Sequence, residues 1–185
     1  MKSNQLELLP KNKLTLVFGG RATKGKRKGA RVILPKHWVH LCLKSKKAHG
    51  SCSLWQKGKR QKIEKLIRTK AKQHNVQLKD AVNMGNHLHV KIKVTRHADF
   101  KAFLRSIAGH IARIATGARK GKKFGKFWDG LAFTRVLKTK FEELQLKGYF
   151  EANRIERQYG YQARLRALKE FNAWLYQLRR SSEAY

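Results

Sequence analysis

The sequence predicts an α+β fold, a single antiparallel sheet with helices mainly on one of its faces. Three observations lead there. Segments in which apolar and polar side chains alternate with a period of two are interleaved with segments of helical period. Their order reads strand, helix, strand, strand, helix, strand, helix, and the two middle strands are joined across only Asn83-Met84-Gly85-Asn86. No internal repeat is evident, and 185 residues suit one domain with extensions.

Residues 1–31 read as a basic N-terminal arm, because positions 19–31, GGRATKGKRKGAR, lack apolar periodicity and should stay mobile until they meet phosphate. A folded domain is expected over residues 32–153. It begins with a half-buried strand, His37 to Leu43, that sets Trp38, His40 and Cys42 on one face and Val39, Leu41 and Leu43 on the other. Ile63, Leu66, Ile67 and Ala71 then keep helical spacing under a cover of lysine and arginine, and Asn75 ends that helix. Residues 76–82 and 88–94 are the strands on either side of the turn. Asp99 helps begin a helix striped by Phe100, Phe103, Leu104, Ile107, Ile111 and Ile114, with Gly117 as its stop. After a basic loop at 118–126, Phe127-Trp128 leads into a strand over 131–137 and a helix from about 140 to 154. Residues 154–185 read as a basic amphipathic C-terminal helix, where Arg154, Arg157, Arg164, Arg166, Lys169, Arg179 and Arg180 flank Leu165, Leu168, Trp174, Leu175 and Leu178.

Forty-four lysines and arginines stand against 11 acidic residues, a formal net charge of +33 that would strongly self-repel without a polyanion. Nucleic acid is the expected partner. A membrane surface is the other candidate, but no apolar run approaches the length of a spanning helix and residues 1–10 lack a secretory signal's order. A cytoplasmic, nucleoid-associated protein is therefore expected. Cys42 and Cys52 are too few for a zinc framework and read as reduced thiols. Phosphate contacts are expected from Arg21, Lys24, Lys26, Arg27 and Lys28 in the arm and from Arg119, Lys120, Lys122, Lys123 and Lys126 in the basic loop. Trp55, Phe124, Phe127 and Trp128 are interleaved aromatics that could stack bases, although Phe127 and Trp128 read first as core.

The most chemically loaded segment is Asn86-His87-Leu88-His89. On a strand, His87 and His89 point the same way with their imidazoles close together, which is either a metal-ligand geometry or merely two partly exposed histidines. Tyr149 and Asn153, four residues apart on a helix, share a face and could present a phenol and an amide oxygen to one centre. Two imidazoles and an amide oxygen leave positions open, which suits Mg²⁺ or Mn²⁺ acting as a Lewis acid better than a closed structural zinc. Asn153 also reads as a helix C-cap. His40 reads first as a core or surface residue, and second as a neighbour of the site from an adjoining strand.

The His87-Leu88-His89 motif after a Met-Gly-Asn turn resembles the His-hydrophobic-His motif of the HUH single-strand endonucleases, particularly the single-tyrosine, IS200-like transposases and their REP-associated branch. Ordered signals further along are similar too: Phe103 to Gly109 on a helix, Phe127-Trp128-Asp129-Gly130, Phe133-Thr134-Arg135-Val136, and Gly148-Tyr149-Phe150-Glu151-Ala152-Asn153. Many relatives carry Met-Pro-Asn where this chain has Met84-Gly85-Asn86. The resemblance implies a ferredoxin- or RRM-like sheet, Tyr149 as nucleophile, and His87, His89 and Asn153 as metal ligands. It further implies transesterification of single-stranded or hairpin DNA through a 5′-phosphotyrosine, by a monomer or a homodimer. A free phenol titrates near roughly 10, so the nucleophile would need help from a cation such as Lys147 or from the metal-bound phosphate. The alternative is a non-catalytic, transposase-derived protein that binds DNA or structured, ribosome-associated RNA.

Overall fold

In the computed structural model, which describes residues 17–19 and 31–182, the chain forms five strands and four long helices. In chain order they are β1 (Val17–Phe18), β2 (Trp38–Lys44), α1 (Lys59–Gln73), β3 (Gln77–Asn83), β4 (His87–Lys93), α2 (His97–Thr116), β5 (Phe133–Leu137), α3 (Lys140–Tyr159) and α4 (Tyr161–Ser182). The strands make one sheet in the order β1-β5-β2-β4-β3, every pair antiparallel. From β2 to β5 the chain runs βαββαβ, the split βαβ arrangement of ferredoxin-like folds. The class is the one expected from the sequence.

Alternation divides the sheet into two unlike faces. On one, Val39, Leu41 and Leu43 of β2 join Leu88, Val90 and Ile92 of β4 and pack under Ile63, Ile67 and Ala71 of α1 and Phe100, Phe103, Ile107 and Ile111 of α2. Each buried valine, leucine, isoleucine or phenylalanine among them stabilises the fold by about 1.5–3 kcal/mol. Phe127 belongs to this core and the half-buried Trp128 packs against it, its indole N–H donating to the Ala108 carbonyl at 3.0 Å, in keeping with their first reading as core. The opposite face carries Trp38, His40 and Cys42 opposite Lys91 and His89.

Here the layering departs from expectation, because α3 lies on this second face and α4 packs on α3. Leu146 and Phe150 meet Val82 and Leu137, a contact too small to stand out in the sequence. Ion pairs complete it: Lys91 with Glu143 at 2.9 Å, Arg135 with Glu142 at 3.0 Å, and Asp80 with Arg154. α3 starts in a capping box between Thr139 and Glu142 and runs on to Tyr159, where Gly160 at φ 87° ends it. The boundary expected at 153/154 thus falls inside a helix.

Two other expectations change. β1 extends the sheet from a stretch read as arm, and Arg31, the last residue of the basic tract, is an anchor. Its guanidinium donates to the Ala132 carbonyl at 3.0 Å and to Thr134 Oγ1 at 2.7 Å, and lies 4.2 Å from the Phe18 ring centroid. Burial brings its pKa down to about 10. Arg21, Lys24, Lys26, Arg27 and Lys28 lie outside the described residues.

Gly148 is where α4 comes down onto α3. A Cβ there would meet the Phe171 ring at 2.1 Å, so Gly148→Ala should push α4 away. The overpacking cost of about 1–3 kcal/mol outweighs the roughly 1 kcal/mol gained in helix propensity. Amide exchange across α4 should accelerate in this variant while exchange in β2 and β4 holds. Unchanged protection of α4 would mean that Phe171 does not seat there.

Candidate functional site

Register on the central strands assembles the site. β2 and β4 pair so that Cys42 lies opposite His89 and Lys44 opposite His87, which puts His40 diagonally across from His89 on the same face. His40 Nε2 and His89 Nδ1 are 2.9 Å apart, so a single imidazole proton is held between the two rings. The His87 and His89 rings stand 4.7 Å apart, nearly perpendicular, with His87 Nδ1 at 2.5 Å from Asn86 Oδ1. His89 is 1% exposed and His40 9%, whereas His87 sits half-buried at the mouth.

The turn before them is set by Gly85, whose φ of 87° lies where proline cannot go. Its N–H donates to Asn83 Oδ1 at 2.9 Å and its carbonyl accepts from the Leu54 N–H at 2.8 Å. The Met-Gly-Asn sequence therefore builds a different turn from one with proline at that position.

α3 brings the tyrosine. The Tyr149 hydroxyl is 3.4 Å from His89 Nε2, and the two ring centroids are 5.2 Å apart. Asn153 lies one turn further on, 1% exposed, its Nδ2 sealed from solvent without a partner. It is no C-cap, since α3 continues past it to Tyr159. Lys147 is exposed. The cation at the phenol is Arg164 of α4, 5.7 Å from the ring centroid, with Nη1 paired to Glu156 at 2.9 Å and Nε buried without a partner.

His40 and Arg164 are the residues that sequence reasoning left outside the site. The alternation of β2 carried the signal for His40 but not the register that makes it a neighbour of His89. Nothing local marks Arg164 among the cations of α4.

Arg119, Lys120, Lys122, Lys123 and Lys126 are all exposed. Their loop returns to the sheet at the His87 end, where the Asp129 N–H donates to the Lys44 carbonyl at 3.0 Å and Lys44 pairs with His87.

All three imidazoles are held uncharged at neutral pH. Burial, then Arg135 and His87, brings His40 down to about 3, and burial, then Lys44 and Arg164, brings His87 down to about 4. His89 falls well below its ordinary value through burial first and then its histidine and cationic neighbours.

No protein-family model matches the chain, and no curated protein matches it. Six chains of solved structure do. One is the crystal structure of a Deinococcus radiodurans R1 protein described as a candidate transposase, 21% identical, with a TM-score of 0.43 over 69% of this chain and 98% of that one. Among the described residues, no helix is long and apolar enough to cross a membrane.

A histidine whose pKa is lower in the folded state leaves the unfolded chain binding more protons, so stability falls as pH drops below the unfolded value near 6.5 and continues falling to the folded one. For His40, with its folded value about 3, the loss at pH 5 relative to pH 7 is about 2 kcal/mol. His40→Gln should remove that part of the slope between pH 7 and 5 in urea unfolding. An identical slope in both proteins would show that His40 is not buried neutral.

Proposed function

We propose that the protein is a metal-dependent single-tyrosine nuclease and strand transferase, transposase-like, acting on single-stranded or hairpin DNA. The observation that carries this reading is the approach of the Tyr149 hydroxyl to His89 Nε2, 3.4 Å, beside the His87 ring. A phenol and a histidine pair distant in sequence meet on one face of the sheet in a chain of net charge +33.

The donor set suits a divalent ion, Mg²⁺ or Mn²⁺. His87 and His89 would hold it through uncharged imidazoles, as ligation requires, and Asn153 would add its amide oxygen from the next turn of α3 beyond Tyr149. Among the described residues, no three His, Cys, Asp or Glu side chains form a metal-holding group. The ion, when bound, supplies Lewis-acid charge to a phosphate oxygen.

The chain's own residues do the rest. The Tyr149 oxygen forms a bond to phosphorus as the bond to the 3′ oxygen breaks, the phenol gives up one proton and the 3′ oxygen takes one, so the proton count is unchanged. One phosphodiester replaces another, and a later 3′-hydroxyl can reverse the attachment without ATP. His40 fixes the tautomer and tilt of His89 through its Nδ1. Arg164 adds positive charge over the phenol where the phosphate must come in. The exposed cations of the basic loop at the His87 end extend the phosphate-binding surface, and the lysines and arginines of the N-terminal arm and of residues 154–185 would add to the charge that draws in phosphate.

Labelled hairpin DNA incubated with Mn²⁺ and run on a denaturing gel should give a covalent protein adduct, lost with Tyr149→Phe and with a chelator. His87→Ala should abolish the adduct while salt-steep binding persists. Tight binding with no adduct from any hairpin substrate would replace this reading with that of a non-catalytic nucleic-acid-binding protein.

A further inference from the structure

Trp55, on the loop between β2 and α1, carries a guanidinium from each of two helices against its indole. Arg60 of α1 lies 4.2 Å from the ring centroid and Arg157 of α3 4.4 Å. The loop is pinned to the turn ahead of His87: the Leu54 N–H donates to the Gly85 carbonyl at 2.8 Å and the Leu54 carbonyl accepts from Asn83 Nδ2 at 2.8 Å, with Leu54 fully buried. A Cβ on Gly85 would lie 3.6 Å from Trp55 Cβ and 3.8 Å from Arg157 Nη1, so the base of the Trp55 side chain and the Arg157 guanidinium both lie close to that turn.

Two like charges on one aromatic ring repel each other, yet this chain has spare cations everywhere and little acid to offset them. Arg60 is paired with Glu64 at 3.0 Å, while Arg157 is exposed and has no carboxylate within ion-pair distance among the described residues. Stacking leaves the N–H edges of a guanidinium free and removes much of the rotamer freedom that a lysine on a surface would lose on binding. The product is a pair of oriented forks, suited to phosphate oxygens. Arg157 also stands about two turns, roughly 12 Å, along α3 from Tyr149, so one helix presents both groups.

We propose that Trp55, Arg60 and Arg157 form a clamp for consecutive phosphates of a nucleic-acid strand flanking the His87–Tyr149 centre. That the strand is the one to be cut rests on the function proposed above; that the clamp holds phosphodiester does not. Trp55 acts as a positioning residue, and the arginines make the contact.

The test uses full-length protein carrying Tyr149→Phe, so that nothing is cut, and a fluorescent oligothymidylate titrated across a salt series, with inorganic phosphate as competitor. Arg157→Gln should weaken binding about ten-fold at low salt and reduce the slope of log K against log salt by about 0.7, the value for one single-strand phosphate contact. Trp55→Leu, which leaves net charge alone, should weaken binding several-fold, and Trp55→Phe should restore most of it. Inorganic phosphate at millimolar concentration should not relieve the difference between parent and Arg157→Gln if a strand is the ligand. Variants that melt like the parent and bind with its affinity and slope overturn the clamp, as does a parent whose affinity falls to that of Arg157→Gln in millimolar phosphate at constant ionic strength. The adduct assay with Tyr149 intact separates the two ideas. An adduct alongside unaffected variants removes the clamp alone, whereas weakened variants without an adduct keep the clamp and remove the nuclease.

Discussion

The pairing of β2 with β4 is the constraint on which the rest depends. Because facing residues of antiparallel strands share a side of the sheet, one register sends Val39, Leu41, Leu43, Leu88, Val90 and Ile92 to α1 and α2 and sends His40, Cys42, His87 and His89 the other way. A slip of one residue would exchange the two sets, burying imidazoles under α2 and exposing the main core. The hydrophobic effect that fixes the fold therefore fixes the geometry of the histidines too.

Placing Tyr149 is a separate problem, and the scarce acidic residues solve it. The apolar contact under α3 is small, so Glu142, Glu143 and Asp80 pair across the interface with Arg135, Lys91 and Arg154. Arg135 and Glu142 are the best sealed of these, with side chains 14% and 7% exposed. Pairs buried to that degree contribute less to net stability than to fixing one arrangement, since any other would strand a desolvated charge. What they fix is the rotation and height of α3, and hence where the phenol stands over His89. Gly148, one residue before the tyrosine, lets α4 close on the back of α3 and bring Arg164 over the ring.

Strong local periodicity made most elements legible. The apolar stripe of α2, the alternation of β2, the Asn75 stop and the Gly117 cap all lie within a few residues of the features they determine. β1 was not legible, because two residues cannot display alternation and its partner β5 is over a hundred positions away. Arg31 was misread for a related reason: a guanidinium in a basic tract looks like its neighbours until a distant carbonyl, hydroxyl and phenyl ring surround it. At the candidate site the pair His87 and His89 and the helical spacing of Tyr149 and Asn153 could be read locally. His40 needed the strand register and Arg164 needed the fold of α4, neither of which any window of sequence contains.

The large positive charge bears on the site in a second way. Lys44, Arg135 and Arg164 all oppose protonation of the imidazoles beside them, adding to the effect of burial. The positive field therefore also favours the uncharged forms of His87 and His89, the forms that the proposed function requires. Here His87 remains half-buried at the mouth while its pKa stays about 4. The cations that the proposed function assigns to phosphate binding thus also favour the neutral histidines.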